Sequence, residues 1–505
     1  MYISLWTISS NTLYLLFAFV LLSVVVLLAE TISRRKKFVS SAVSSAPSPP
    51  GPRKFPIIGN LNVLDGYEVP YQAFSDLGKK YGQIVKLQLG SVPAVVVNGI
   101  ENIKEVLITK TNHFDSRPNF QRYHRLFSGN KENSLAFCDW SDLHKLRRDM
   151  LTPHTFPKSF STRFQDLNGI ISQHTEHMMT QFSSEPSQTV NIKEYFLKSS
   201  ANIFNEYFCS KTIDYNDQKL DTFISNFDRI FYEVNQGYAA DFMPFLMTFH
   251  KNNMQQMDRW SHQVRDIILG QIIGDRLDTY ANGMEEKDYL DSLIAHIKEE
   301  RLPSMSWDTA LFALEDILGG HAAVGNFLTI VCKYLIDNPR VQLAIQKEID
   351  ETNHNANVIT LDDRKSMPYT QAVLMESLRM IASPIVPHVS NQETTINGYH
   401  VPEKTLIFLN NYETNMSADL WDEPEQFKPE RFLNEQGNLF KPDHFLPFGA
   451  GKRSCMGYKF VQFISFSMIT NLLKTHTMKS GDYKIQPGSL AVSDLRCPVV
   501  LESRV

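Results

Sequence analysis

From Trp307 to Leu335 the chain is apolar on almost every side, with few polar letters among Leu, Ile, Val, Phe and Ala. A helix of that kind has no face to offer water and must run through the middle of a large body. Around it, "IENIKEVLI", "SDLHKLRRDML", "DRIFYEV" and "DYLDSLIAHIKEE" repeat apolar residues at helical spacing, so the chain from about Ile100 to Asp337 reads as mostly helical. Further helices are predicted over about 338–352, 369–380 and 457–476. "GQIVKLQLGSVPAVVVNG", Gly82 to Gly99, alternates like two short strands around a turn. "ETTINGYHVPEKTLIFLNNY" reads as hairpin strands with an Asn-Gly turn, and the tail from about Tyr483 is strand-like. The class is mainly α with a smaller β region.

A different pattern opens the chain. "TLYLLFAFVLLSVVVLLA", Thr12 to Ala29, carries no charge and would span about 27 Å as a helix, close to a hydrocarbon core. Arg34 to Lys37 follow it, and no Lys or Arg precedes it. A cleaved signal places its charges first, whereas this order predicts a retained single-pass anchor with the body on the cytosolic side. A Pro- and Ser-rich stretch then suits a stiff hinge. The expected organisation is an anchor and basic flank over 1–37, a hinge over 38–60 and a catalytic domain over 61–505.

Composition narrows the chemistry. A formal charge of -5 gives no reason to expect a nucleic-acid partner, and the 15 histidines include no HExxH. Five scattered cysteines do not form a disulfide framework. Four read as small buried hydrophobes; the fifth sits in "FGAGKRSCMG", Phe448 to Gly457. There Lys452 and Arg453 supply positive charge, Gly449, Gly451 and Gly457 let the backbone curl closely, and a helix begins just beyond. All three favour a thiolate at Cys455. With no second Cys or His nearby, zinc is disfavoured and a single-thiolate haem iron fits better.

The stretch resembles the haem-binding signature of the cytochrome P450 superfamily, F-x-x-G-x-R-x-C-x-G, at Phe448, Gly451, Arg453, Cys455 and Gly457. The resemblance implies haem b, with Cys455 as the axial ligand of the iron, Arg453 at a propionate and Phe448 near the sulfur. "ESLR" and "FKPERF" are similar to the family's buried structural ion network, which implies that role for Glu376, Arg379 and Arg431. "WSDLHKLRR" is similar to the helix that meets the propionates. Trp140 fits, and His144 or Arg147 is the expected base, with Lys145 and Arg148 pointing elsewhere. A basic solvated face is the plainer reading of those bases, and such a face also suits an acidic redox partner. "PHVS" puts His388 where the family often has a basic residue at a propionate. The resemblance further implies NADPH-cytochrome P450 reductase as electron donor, with cytochrome b5 as a second, and a site on the endoplasmic reticulum membrane.

The long helix departs from the family. Its usual small-Gly-x-acid-Thr supplies protons for oxygen activation, but in "LEDILGGHAAVGNF" Gly319 and Gly320 are followed by Ala322 and Ala323 at the acid and threonine positions. Gly320 and His321 are the candidate catalytic positions, although His321 lies about 100° round the helix from Ala322. Glu315 and Asp316 read as structural. Together with "CDWSDLHKLRR", "NNYETNMSADLWDEPEQFKPERF" and "PFGAGKRSCMGYKFVQF", this helix resembles the Spook and Spookier branch of arthropod cytochromes P450. That branch implies a sterol substrate and an early, "black box" step of ecdysteroid biosynthesis from 7-dehydrocholesterol. The double alanine also admits a haem-thiolate isomerase or dehydratase needing no reductase, or a sterol-binding haem protein without oxygen chemistry.

Overall fold

The computed structural model describes residues 46–67, 69–182, 185–301, 305–352, 358–486 and 488–504. The expected anchor, its basic flank and the first part of the hinge lie outside the described residues, among which no helix is long and apolar enough to cross a membrane. From Pro47 onward the expected hinge lies on the body. The carbonyls of Pro47 and Pro50 accept from His400 and Lys86 N–H groups at 2.9 and 2.8 Å. A side chain at Gly51 would strike the Lys86 carbonyl.

The longer helices are α1 (Pro70–Tyr81), α2 (Asp142–Thr155), α3 (Thr162–Thr180), α4 (Ile192–Cys209), α5 (Gln218–Asn235), α6 (Lys251–Ile267), α7 (Tyr289–Lys298), α8 (Trp307–Asp337), α9 (Pro339–Thr352), α10 (Pro368–Ile381) and α11 (Tyr458–Thr475). The strands are β1 (Ile84–Leu89), β2 (Val92–Val97), β3 (Ser187–Asn191), β4 (His388–Val389), β5 (Thr394–Ile396), β6 (Tyr399–Val401), β7 (Leu406–Leu409), β8 (His476–Gly481) and β9 (Pro498–Ser503). They form sheets ordered β1-β2-β7-β4 and β3-β9-β8, and the hairpin β5-β6. The hairpin turns on Asn397 and Gly398, both at positive φ, the geometry that favours Asn-Gly.

The strand-like tail is regular only over β9, and β3 interrupts the stretch that reads as helical. Both are paired across long chain separations, β3 with β9 and β9 with β8. Local periodicity does not register such pairing.

The apolar pattern of α8 has the predicted consequence. Ser306 caps its start by accepting from Thr309 N–H, and most of its residues are buried. Helix α4 lies close along it, because Gly325 has no side chain: a Cβ there would stand 2.6 Å from Leu197 Cδ2. Phe196, Phe204, Phe223 and Phe327 belong to the same core cluster. Each such side chain contributes about 1.5–3 kcal/mol of burial.

One polar knot crosses this core. Lys193 on α4 is fully buried and meets Asp228 on α5 at 2.7 Å. Its ammonium also donates to the Val492 and Asp494 carbonyls, at 2.9 and 3.2 Å. Asn326 on α8 donates to Asp228 at 2.7 Å and accepts from Val492 N–H at 2.8 Å. Three helices and the C-terminal loop thus share one buried charge pair. Lys193→Met should cost ~3–5 kcal/mol, because Asp228 would remain buried without its cation. A chemical-denaturation midpoint equal to wild type would show that the knot adds little.

Candidate functional site

Phe448 to Gly457 forms a tight loop between the irregular segment before it and α11. Cys455 N–H donates to the Phe448 carbonyl at 3.0 Å, closing the loop around a short 3-10 turn, Gly451–Arg453. Gly449 and Gly451 take positive φ, and a Cβ on Gly451 would collide with the Leu107 carbonyl. Cys455 keeps accessible surface, yet burial is the main cause pushing its thiol up. Its exposed side therefore faces into the fold. The Gly457 N–H and the positive charge of Arg148 act the other way and favour thiolate. Phe448 packs against Tyr458 at 5.8 Å between ring centres.

The source of positive charge differs from the sequence expectation. Lys452 pairs with Asp115 and lies over the Trp140 ring at 4.5 Å. Arg148, expected to point away, donates to the Ser454 carbonyl at 3.0 Å, next to Cys455. Arg147, expected at a propionate, turns instead to the Asn133 and Glu132 carbonyls at 2.7 and 3.1 Å. Those carbonyls end a short helical turn, Lys131–Asn133, and need donors that the turn does not supply. Lys145 is exposed.

Arg117, Arg148 and Arg453 form a largely buried cationic group around the neutral rings of His144 and His388. Arg453 meets the His144 ring at 2.9 Å and donates to the Cys138 carbonyl. The Trp140 ring stands edge-on to His144 at 5.0 Å. His388 on β4 shares its Nδ1 with the Phe114 carbonyl at 2.5 Å. Ser116 bridges to Val389, which sets Arg117 beside His388. Arg117 donates to the Val386 and Pro387 carbonyls at 2.9 and 3.2 Å.

The field is strong. Burial and then Arg453 push the Arg117 guanidinium down to about 9. Burial, followed by Arg453 and the neighbouring arginines, pushes His144 down to about 2. Burial and then Arg117 push His388 well below the usual histidine range. Nε of Arg117, Nε of Arg453 and Nε2 of His388 are buried without a partner. His388 gives its Nδ1–H to the Phe114 carbonyl and is held neutral, so its Nε2 is an acceptor; the two arginine Nε–H groups are the donors that suit a planar group carrying two carboxylates, and the residues fit haem. Sequence reasoning missed Arg117 because its partners lie 269 and 270 positions away.

One stripe of α8 differs from the rest of the helix. Asp316, Gly319, Gly320 and Ala323 retain partial exposure, whereas Phe312 and Phe327, one turn beyond each end, are 1% exposed. The spacing i, i+3, i+4, i+7 makes these four one face. Ala322 is fully buried and off the stripe. Phe204 connects this face with the cysteine loop. A Cβ on Gly320 would stand 3.0 Å from its ring, which lies 5.2 Å from Phe460, five residues beyond Cys455.

His321 is turned to α5, whose Phe227 also borders Gly319. Its ring stacks on Phe223 at 5.4 Å and meets Phe227 edge-on at 5.2 Å. Its Nδ1 shares a hydrogen with the Leu318 carbonyl at 2.7 Å, and it is fully buried. Its Nε2 is buried without a partner, and a ring packed between two phenylalanines of α5 favours a structural place for His321 over the expected place in the candidate catalytic pair.

Glu376 and Arg379 on α10 are fully buried and bidentate, at 2.7 and 2.8 Å. Arg431 adds a third bond to Glu376 at 3.1 Å and Lys428 N–H a fourth at 2.8 Å. Arg379 also donates to the Asn415 carbonyl at 2.7 Å. The three expected members of the ion network thus meet, away from the α8 stripe and paired among themselves.

A family model described as "Cytochrome P450" matches residues 49–490. The chain is 37% identical over 487 residues to Cytochrome P450 307a1 of Drosophila melanogaster, covering 90% of this chain and 89% of that protein. It is 30% identical over 439 residues to Farnesoate epoxidase of Bombyx mori, covering 84% and 87%. It is 28% identical over 465 residues to Cytochrome P450 1A5 of Gallus gallus, covering 88% and 85%.

The burial of His321 gives a pH test. Burial holds its imidazolium down at about 4, and an unfolded histidine titrates near 6.5. Between those values the unfolded chain binds a proton that the folded chain refuses. The contribution is full above about 6.5 and lost as pH falls toward 4. His321→Phe should remove about 2 kcal/mol of the stability loss between pH 7 and pH 5 and leave turnover unchanged. A fall of about tenfold in turnover with a wild-type pH profile would return His321 to the catalytic set.

Proposed function

The chain belongs to the cytochrome P450 family of haem-thiolate monooxygenases, and on that premise we propose that it oxidises a sterol. The step is an early one of ecdysteroid biosynthesis, acting on 7-dehydrocholesterol. The observation that carries this reading is the α8 face of Gly319, Gly320 and Ala323, beside a buried Ala322. It lacks the acid and hydroxyl of the general family pattern, as in the Spook and Spookier branch that the sequence resembles. The higher identity to Cytochrome P450 307a1 than to Cytochrome P450 1A5 supports that placement.

Bound haem supplies the oxygen-activating chemistry. Cys455 is its thiolate ligand, and Gly457 N–H and Arg148 stabilise the negative sulfur. Arg453 and Arg117 offer their unpaired Nε–H groups to the propionates, with His388 beside Arg117 and with His144 and Trp140 holding Arg453 in place. Phe448 flanks the loop. The ion network of Glu376, Arg379 and Arg431 holds α10 to the segment before the cysteine loop. Between Gly319 and Ala323, α8 presents no acidic or hydroxyl side chain. Proton delivery there falls to water on backbone carbonyls at Gly320, or to a hydroxyl of the substrate.

Electrons come from NADPH-cytochrome P450 reductase at the exposed basic side marked by Lys145. The segment over 12–29 holds the protein on the endoplasmic reticulum membrane. The double alanine also favours, as a second reading, a haem-thiolate rearrangement without net electron input.

The full-length protein with reductase and NADPH should convert 7-dehydrocholesterol to an oxidised product, identified by mass spectrometry. Product formed equally without NADPH would replace the monooxygenase reading by the rearrangement. Ala323→Thr should impair turnover about tenfold if a substrate hydroxyl or its water occupies that place. Equal or faster turnover would remove substrate-assisted proton delivery.

A further inference from the structure

The stripe on α8 has one charged member. Asp316 stands one turn before Gly320, about 6 Å along the axis. Burial raises its carboxyl, and the residue keeps accessible surface between the buried Glu315 and Ile317, on the same face as Gly319, Gly320 and Ala323.

Its two oxygens are used differently. Oδ2 accepts from Ser134 Oγ at 2.8 Å, from Leu135 N–H, and from Ala136 N–H at 3.3 Å. Those bonds hold the loop before α2 against α8. Oδ1 has no hydrogen-bond donor among the described residues and is not among the sealed, unpartnered atoms. Among the described residues Arg147 acts on Asp316 through its charge alone: its two Nη atoms donate to the Asn133 and Glu132 carbonyls and its Nε is buried without a partner, while Arg265 pairs with Glu315 at 3.2 Å. A structural role accounts for Oδ2 alone. A carboxylate offers about four acceptor positions, so Oδ1 keeps its own available.

Arg147 and Tyr289 lie within electrostatic range of the carboxylate, and the rest of the α8 face beside it is apolar. Gly319, Gly320 and Ala323 continue the face, with Phe227 and Phe204 beside the glycines. A single acceptor in an apolar site fixes the orientation of a ligand. It also disfavours a ligand that covers it without donating a hydrogen.

We propose that Oδ1 of Asp316 is the polar anchor of the substrate site, accepting a hydrogen bond from a hydroxyl on an otherwise apolar substrate. That this hydroxyl is a sterol's rests on the functional reading above. Asp316 then has two duties: one oxygen holds the loop and the other selects an alcohol.

Asp316→Asn separates them. The amide oxygen still accepts from the loop, while the amide nitrogen turns a donor toward the substrate. Binding to the full-length holoenzyme is measured with radiolabelled 7-dehydrocholesterol and its 3-O-methyl ether. Farnesol and its methyl ether serve as a non-sterol pair. Wild type should prefer the alcohol by about tenfold or more, and Asp316→Asn should lose or reverse that preference. An unchanged preference in the variant, or equal binding of both forms by wild type in every pair, overturns the anchor. If wild type binds neither sterol but selects farnesol in an Asp316-dependent way, the anchor stands and the sterol reading fails. Should Asp316→Asn not take up haem, wild type is tested with the 3β-ammonium analogue. An anchoring carboxylate binds it more tightly than the alcohol, and rejection overturns the proposal.

Discussion

A close-packed protein interior does not leave usable space unless the chain is built to keep it. The fold is organised by that constraint along α8. The helix is buried on nearly every side, yet Asp316, Gly319, Gly320 and Ala323 keep one narrow face partly open. The opening is made by small residues on the helix and large ones around it. Phe312 and Phe327 close the ends, while Phe227 and Phe204 stand where side chains at the glycines would have to go. The Lys193–Asp228 knot then binds α4 and α5 to α8 and to the C-terminal loop, so the walls are held by charge as well as by packing.

Charge is distributed by the same economy. Glu376 is fully matched, by two arginines and a backbone N–H. The cationic group near the cysteine loop is not matched to the same degree. Arg117, Arg453 and His388 each keep a buried nitrogen without a partner; burial lowers the affinity of all three for protons, and neighbouring arginines lower that of Arg117 and His388 further. Such an arrangement is costly for the protein alone and favourable once an anion is bound. Asp316 is an intermediate case, with one oxygen satisfied by the loop and the other available.

Much of this was legible in the sequence because it is local. The all-apolar run of α8, the alternation of β1 and β2, and the Asn-Gly turn between β5 and β6 follow from residue type and spacing. The cysteine loop is equally local, since Gly451 and Cys455 lie within one turn of chain. Glu376 and Arg379 are in register on α10 because helical spacing is fixed, and Trp140, just ahead of the Ser141 cap of α2, still meets His144 within the same short segment. What failed was choice among neighbours. Arg147 and Arg148 are adjacent and of one type, and only the position of the Lys131–Asn133 turn and the cysteine loop decides which guanidinium goes where.

The sequence by itself determined the long helices, the β1–β2 and β5–β6 hairpins and the family, and singled out Cys455 among five cysteines, because helical period, turn chemistry and a ten-residue motif are properties of consecutive residues. Tertiary structure alone decided which side of α8 is open, that His321 faces α5, that Arg117 joins His388 across the chain, and that Asp316 keeps an oxygen free. Each depends on what packs against a residue from a distant segment. Close packing and unsatisfied hydrogen bonding set the energy of that contact, and neither is a function of the local letters.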